Sequence, residues 1–375
     1  METQSTDQEN ILRLLLSGQE KNIVLGLQLA ESQRIDIADL LQDIDILCEW
    51  WLGKDKINEI TDKLVQIVGI EEIAKGNAGF DRIPPQIKYM LNLKELSLPY
   101  NQINTLPLEI GTLKKLIRLS LGHSKLSSLP SEIGCLAQLR ELNLTYSQLH
   151  FIPPEIGHLK KLLKLFLYEN HLTTLPSEIW QCSELKELLL SYNKLNTLPP
   201  EIGNLFQLES LDLSHNQLQS IPLTIGNLSQ LQRLDLSNNQ LYSLPAEISN
   251  LKKLKRLSLR QNQFVSLLRE IGQLESIEEL ILGDNQLCSF PQEISKLNQL
   301  TQLIIYHNQL RTLPEEIGNL TQLRRLHLKN NQIEVLPEEI SRLINLEYLD
   351  LGKNPISDSE KVKIKSLLPN CEIYF

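Results

Sequence analysis

Residues 208–230 read LESLDLSHNQLQSIPLTIGNLSQ, and residues 231–253, directly after them, read LQRLDLSNNQLYSLPAEISNLKK. Laid over one another, the two stretches keep a Leu-x-x-Leu-x-Leu run, an Asn, a further Leu, a Pro and an Ile at the same places. The spacing recurs every 23 residues, with starts at Leu93, Leu116, Leu139, Leu162, Leu185, Leu208, Leu231, Leu254, Ile277, Leu300 and Leu323, and a twelfth copy begins at Leu346. No insertion or deletion breaks the register, so the chain is read as an array of one supersecondary unit.

Each fixed position has a physical task. In Leu-x-x-Leu-x-Leu the side chains of a short strand alternate, so the leucines point into a core and the residues between them point outward. The Asn that follows, as at Asn101, Asn170, Asn193 and Asn216, sits where the chain leaves the strand. Its amide can donate to and accept from backbone groups that would otherwise be buried unpaired. The Leu-Pro-x-Glu-Ile-Gly half returns along the other side. Its prolines fix φ and cannot donate to a ladder, so an extended segment or a short turn of helix is expected there, not a second long strand. Three departures stand out: Ser124 and Ser147 replace the Asn, Leu268 replaces the Pro, and Trp180-Gln181-Cys182 replaces Gly-x-Leu. They read either as drift within a long array or, for the two serines, as a looser strip near a contact region.

The expected fold class is therefore an α/β solenoid, a leucine-rich-repeat horseshoe with a parallel concave β-sheet and an α-helical N-terminal cap. Residues 1–79 carry helical spacing instead of the repeat: Ile11, Leu14 and Leu15; Ile23, Leu27 and Ala30; Ile37, Leu40, Leu41, Ile44, Leu47 and Trp51; and Ile57, Ile60, Leu64 and Ile67. With Asp36 as an N-cap and Gly53 as a stop, this stretch reads as about four helices, a cap or a small docking module. Residues 80–345 form the array, an entry half-repeat and eleven repeats. Residues 346–375 form the last repeat and a second cap, with Ser357 and Glu360 in a capping-box pattern and CEIYF as a closing edge; the chain reads as complete at this end.

Composition narrows the function. The chain of 375 residues is 41% hydrophobic but only 5% aromatic, so aliphatic packing supplies the core. A net charge of -9 gives no global positive field, which argues against nucleic acid as a partner. The amino terminus lacks the basic and apolar regions of a signal peptide, and no apolar run approaches the roughly 18 to 20 residues that cross a bilayer, so no membrane role is expected. Five scattered cysteines form no CxxC pair and no cysteine-clustered cap, which points to reduced thiols and a cytoplasmic location. No P-loop, GxSxG, HExxH or dinucleotide fingerprint is present, and His123, His215 and His307 lie four repeats apart, too far to share a metal. The chain is read as a non-enzyme that needs no cofactor.

A protein partner is the remaining expectation. Twelve strands about 4.8 Å apart offer a face of roughly 870 Å², one side of an ordinary interface. Its outward positions hold Tyr100, His123, Tyr146, Phe166, Tyr168, Leu189 and Tyr192, which either anchor a partner or brace one another across strands. A second cluster is Ile281, Ile304, Tyr306 and His307. Between the clusters Arg233, Arg256 and Arg260 form a basic strip, open to acidic groups of a partner or neutralised by Asp212, Asp235, Glu278 and Glu279. A self-associating structural repeat protein and the binding subunit of an enzyme complex are the alternatives.

The near-verbatim LPSEIGCL, LPPEIGNL and LPEEIGNL resemble the intracellular leucine-rich-repeat proteins of the Ras-group type, over residues 80 to 375. That group includes the animal Ras-pathway scaffold, plant relatives and many bacterial proteins. The uniform repeats and the ending NPISDSEKVKIKSLLPNCEIYF are most similar to the bacterial members. The resemblance implies a scaffold in signal transduction and, by resemblance only, a small GTPase or another signalling protein as partner.

Overall fold

The computed structural model describes residues 2–52 and 60–375 and divides into two compact units, Met1–Lys164 and Leu165–Phe375. In the first, helices α1 (Glu2–Leu15), α2 (Glu20–Gln33), α3 (Ala38–Leu52) and α4 (Ile60–Gly69) form where the apolar residues keep helical spacing. They bury Ile11 and Leu15, Ile23 and Ala30, Leu40, Ile44 and Leu47, and Leu64, Ile67 and Val68 on one shared side. Gly26 lets α1 and α2 approach, since a Cβ there would stand 3.0 Å from Leu15. Asp36 accepts the Ala38 N–H at 2.9 Å and so opens α3 as its sequence suggests. The expected stop at Gly53, and Ile57, the first apolar residue of the fourth helical pattern, lie outside the described residues.

The strands of the first unit are β1 (Glu72–Ala74), β2 (Glu95–Ser97), β3 (Arg118–Ser120) and β4 (Glu141–Asn143), paired in chain order and all parallel. Their middle residues, Ile73, Leu96, Leu119 and Leu142, align in register and are fully buried. β1 lies before residue 80, inside the stretch read as helical. Helical spacing ends with α4, and Ile73 then provides the one inward apolar side chain a three-residue strand needs. α3 is tied to the turn Pro85–Tyr89 by Asp43, which accepts from Gln86 Nε2 and from the Tyr89 hydroxyl, each at 2.9 Å. Burial pushes the Asp43 carboxyl up, but these two hydrogen bonds and Lys88 outweigh it and hold the pKa below its ordinary value.

β5 (Lys164–Phe166) straddles the division between the units. The second unit continues with β6 (Glu187–Leu189), β7 (Ser210–Asp212), β8 (Arg233–Asp235), β9 (Arg256–Ser258), β10 (Glu279–Ile281), β11 (Gln302–Ile304), β12 (Arg325–His327), β13 (Tyr348–Asp350) and β14 (Glu372–Tyr374). From β6 onward these strands are parallel and paired in chain order. The Asn positions work as their amide chemistry suggests. Asn193 Nδ2 donates to the carbonyls of Leu167 and Leu190 at 2.9 and 3.0 Å, while its Oδ1 accepts the Leu172 N–H at 3.0 Å. Asn216, Asn239, Asn262, Asn285 and Asn308 repeat the pattern, stitching each repeat to its neighbour.

The return segments are single 3-10 turns of five residues, each opened by a residue in the extended region. Pro222 and Pro314 have φ of -67° and -66°; Leu268 adopts φ -72°, ψ 153° without a ring to impose it. Packing, not proline alone, therefore sets this corner. Trp180, where other repeats have Gly or Ser, is fully buried, and its indole Nε1 has no acceptor among the described residues. Helix α5 (Asp358–Leu367) closes the unit: Ser357 Oγ accepts the Glu360 N–H at 3.2 Å. The Glu360 carboxylate is used elsewhere, accepting the Leu336 N–H at 3.3 Å, and so pins the cap to the array.

Candidate binding face

The outward face has one recurrent local feature. The residue before the Asn position is left-handed in every repeat from Tyr100 to Lys353, with φ between 51° and 59°, and none of these twelve residues is glycine. A single left-handed residue costs on the order of 1–2 kcal/mol. The register offsets this cost, because the N–H of Tyr100 meets the Gly122 carbonyl at 2.9 Å, His123 meets Thr145 at 2.8 Å and His215 meets Ser237 at 2.9 Å. Within each unit the turn aims these side chains away from the core in a column.

In the first unit that column is a stack. Tyr100, His123 and Tyr146 lie with ring centroids 4.0 Å apart at each step and planes within 15° of parallel. Such pairs contribute about 0.5–1.5 kcal/mol each beyond area burial. Tyr100 is still 57% and Tyr146 40% exposed. The stack borders small residues, Pro99, Gly122 and Thr145, and then Ser97, Ser120 and Asn143. On the far side Arg118 pairs with Glu95 at 3.1 Å. The result is a floor of small residues between a wall of ring edges and the Arg118–Glu95 ion pair.

In the second unit Tyr192 stacks on His215 at 3.8 Å, and Tyr168 meets Tyr192 edge-on at 5.3 Å. Tyr192 is 42% exposed, while Phe166 and Leu189 are half-buried. The predicted basic strip is largely neutralised within the chain. Arg256 reaches Glu279, Arg260 reaches Asp284 at 2.9 Å, and Arg233 Nε donates to Ser210 Oγ at 3.4 Å. Asp284 also holds His307 Nδ1 at 2.8 Å, and Arg260 lies over the Tyr306 ring.

One expected outward anchor is corrected. Ile281 is only 9% exposed. It sits in register between Ser258 and Ile304 and two residues before Gly283, and the Tyr306 ring fills the place of the missing Gly283 side chain, with ring atoms 2.7 Å from where a Cβ would stand. Ile304 and Tyr306 stay half-buried and His307 exposed. Among the described residues no group of three or more His, Cys, Asp or Glu side chains is placed to hold a metal, and no helix is long and apolar enough to cross a membrane.

Three family models match the chain: "Leucine-rich repeat region" over residues 197–312, "Leucine rich repeat" over 91–149 and 137–195, and "Leucine Rich repeats (2 copies)" over 321–363. A solved leucine-rich-repeat protein of Leptospira interrogans is 34% identical, with a TM-score of 0.55, over 86% of this chain and 100% of its own. The chain belongs to the leucine-rich-repeat family. An internalin from Listeria monocytogenes is 27% identical with a TM-score of 0.75, covering 90% of this chain and 94% of that one. A plant peptide hormone receptor, RGFR1, solved in complex with RGF2, is 31% identical with a TM-score of 0.68, over 79% of this chain and 49% of the receptor. Curated protein sequences gave no match. The matching family models are all leucine-rich-repeat models, and none indicates catalysis.

The leucine-rich-repeat register also exposes what the sequence reading missed. His215 lies 23 residues after Tyr192 and belongs to its stack, a role that spacing considered only for a shared metal does not reveal. Tyr348 and Tyr374 form a further group with His327, at centroid distances of 4.8 and 5.3 Å. Tyr374 escaped notice because it lies in the closing edge segment, outside the repeat pattern.

Proposed function

We propose that this leucine-rich-repeat protein is a non-catalytic binding module or scaffold that engages a partner protein through the outward face of its strands. The observation that carries the reading is the column of left-handed residues, which in each unit holds exposed Tyr rings in fixed positions, stacked on half-buried His rings. Rigid aromatic side chains that remain exposed, with their ordering cost met before binding, are the usual anchors of interfaces. Because stacked neighbours cover ring faces, the stack offers mainly edges, phenol hydroxyls and imidazole nitrogens, which suits a partner with polar groups spaced along an extended segment. The relative RGFR1, solved with RGF2, lends support by analogy. A cytoplasmic setting in signal transduction, kinship with the Ras-group type and its bacterial members, and a small GTPase among the partners follow from the resemblance of the repeats.

The proposed division is a helical cap over residues 1–79, an array over 80–345 and a closing cap over 346–375, with the cap also open to a docking role. The test is capture from native cytosol with the wild-type chain and a Tyr100→Ala, Tyr146→Ala, Tyr192→Ala variant. If the rings are anchors, the variant loses on the order of 2–4 kcal/mol of affinity for the captured protein while staying folded, its melting point lowered only by the stacking contacts removed. Equal recovery by both chains would refute the assignment. Molar mass that rises with concentration in the wild type and not in the variant would replace a foreign partner with a second copy of the chain.

A further inference from the structure

The final strands of the second unit treat their cations differently from those before them. On β9 and just after it, Arg256 and Arg260 are each held by a carboxylate of the next repeat. Just before β12 Arg324 is likewise paired, with Glu347 at 2.8 Å. Arg325, Lys329 and Lys353, by contrast, are exposed and enter no ion pair among the described residues. The carboxylate set among them, Asp350, lies in register with His327 and accepts the Gly352 N–H at 3.0 Å. In a chain of net charge -9 this patch has the opposite sign.

The same patch carries rings. His327 meets Tyr348 at 4.8 Å, and Tyr348 meets Tyr374 at 5.3 Å, with Tyr374 on the last strand about half exposed. Apolar ring surface rimmed by unpaired cations is complementary to a segment that alternates carboxylates with an apolar side chain. Nucleic acid fits less well: Glu347 just before β13, Asp350 on β13 and Glu372 on β14 interrupt the patch, and the separate carboxylates of a polypeptide can be spaced around them whereas the continuous charge of a phosphate backbone cannot.

We infer that β12–β14 form a docking site for an acidic polypeptide segment, whose carboxylates pair with Arg325, Lys329 and Lys353 while an apolar residue rests on Tyr348 and Tyr374. The site shares no residue with the Tyr–His stacks, so it goes beyond the binding reading above and can fail separately from it. His327 supplies an internal reporter. Burial holds its imidazole below the ordinary value, Asp350 opposes this, and Arg325 adds to it. A carboxylate docked on Arg325 weakens that last effect, so the imidazole titrates at higher pH in the complex.

The experiment uses the full chain and a labelled peptide of glutamates flanking a central leucine, with an oligothymidylate as the competing polyanion. Saturable peptide binding is expected, weakening with added salt and falling roughly tenfold in Arg325→Glu and again in Lys353→Glu. The His327 proton resonance should titrate at higher pH with peptide present, and Tyr100→Ala, Tyr146→Ala should bind the peptide as wild type does. Both reversed positions are exposed, and an unchanged melting curve verifies folding. Absence of peptide binding, wild-type affinity in Arg325→Glu, or preference for the oligothymidylate would each overturn the proposal.

Discussion

Replacing Ser124 and Ser147 together by Asn should stabilise the first unit. These are the two adjacent repeats in which the Asn ladder is interrupted, and both serines are buried. They bond to one another at 3.0 Å, and Ser124 Oγ takes the Leu126 N–H at 3.5 Å, so two bonds serve two repeats, one of them long. Asn193 alone makes three at 2.9 to 3.0 Å. In the same register an Asn at 124 would reach the N–H of Ile103 and the carbonyls of Leu98 and Leu121; one at 147 would reach the N–H of Leu126 and the carbonyls of Leu121 and Leu144. The double variant therefore gains about four hydrogen bonds, each contributing roughly 1 kcal/mol net. Ordering two amide side chains costs about 1 kcal/mol apiece, which leaves a gain of about 2 kcal/mol. Urea unfolding followed by circular dichroism reads it as a higher midpoint at constant slope, and amide exchange at Ile103 should slow in parallel. A lower midpoint with unchanged exchange at Ile103 would refute the reasoning, since it would mean that this strip is too narrow for an amide and that the serines are fitted to it.

Other expectations can be checked with single variants. Gly283→Ala should expel the Tyr306 ring from its seat and expose Ile281, seen as a shifted Tyr306 ring resonance; an unmoved ring would contradict the close approach described above. Trp180→Phe removes an indole N–H that lacks an acceptor and should cost under about 1.5 kcal/mol, whereas Trp180→Ala should cost about 3–5 kcal/mol through the cavity it leaves. Equal losses in the two would show that the N–H is satisfied. His327 and Asp43 both have folded pKa values below their ordinary ones, so each contributes stability that is complete above its unfolded pKa and is lost as pH falls through the folded value. Stability should therefore decline first below about pH 6.5, from His327, and again in the carboxylate range, from Asp43. In His327→Gln the first decline should vanish; its persistence would assign it to another group.

Much of the architecture was legible because a strict period forces physical roles onto fixed positions. Leu211 and Leu234, read as inward, are buried, and Asn216 and Asn239 make the backbone bonds their amides allow. The Ser357 cap and the closing strand at CEIYF were readable from local chemistry alone. β1 was not, because three residues with one inward Ile carry no periodic signal and form a strand only when β2 lies beside them.

The binding face divides along the same line. Position in the repeat determined which side chains leave the core, and so the sequence by itself placed Tyr100, His123, Tyr146 and Tyr192 in one outward column. Whether those residues stack, pair or become buried depends on side chains 23 or 24 positions away, and that only the tertiary structure decided. Tyr306 covers Ile281's surroundings because Gly283 leaves a gap in the adjacent repeat; Arg260 is quenched because Asp284 happens to face it; Arg325 remains unpaired because Gln302 and Tyr348, its neighbours in register, carry no charge. Alternation along a strand is a property of the backbone and can be read from one dimension, whereas contact between strands depends on the identity and rotamer of the facing side chain, which the period leaves free.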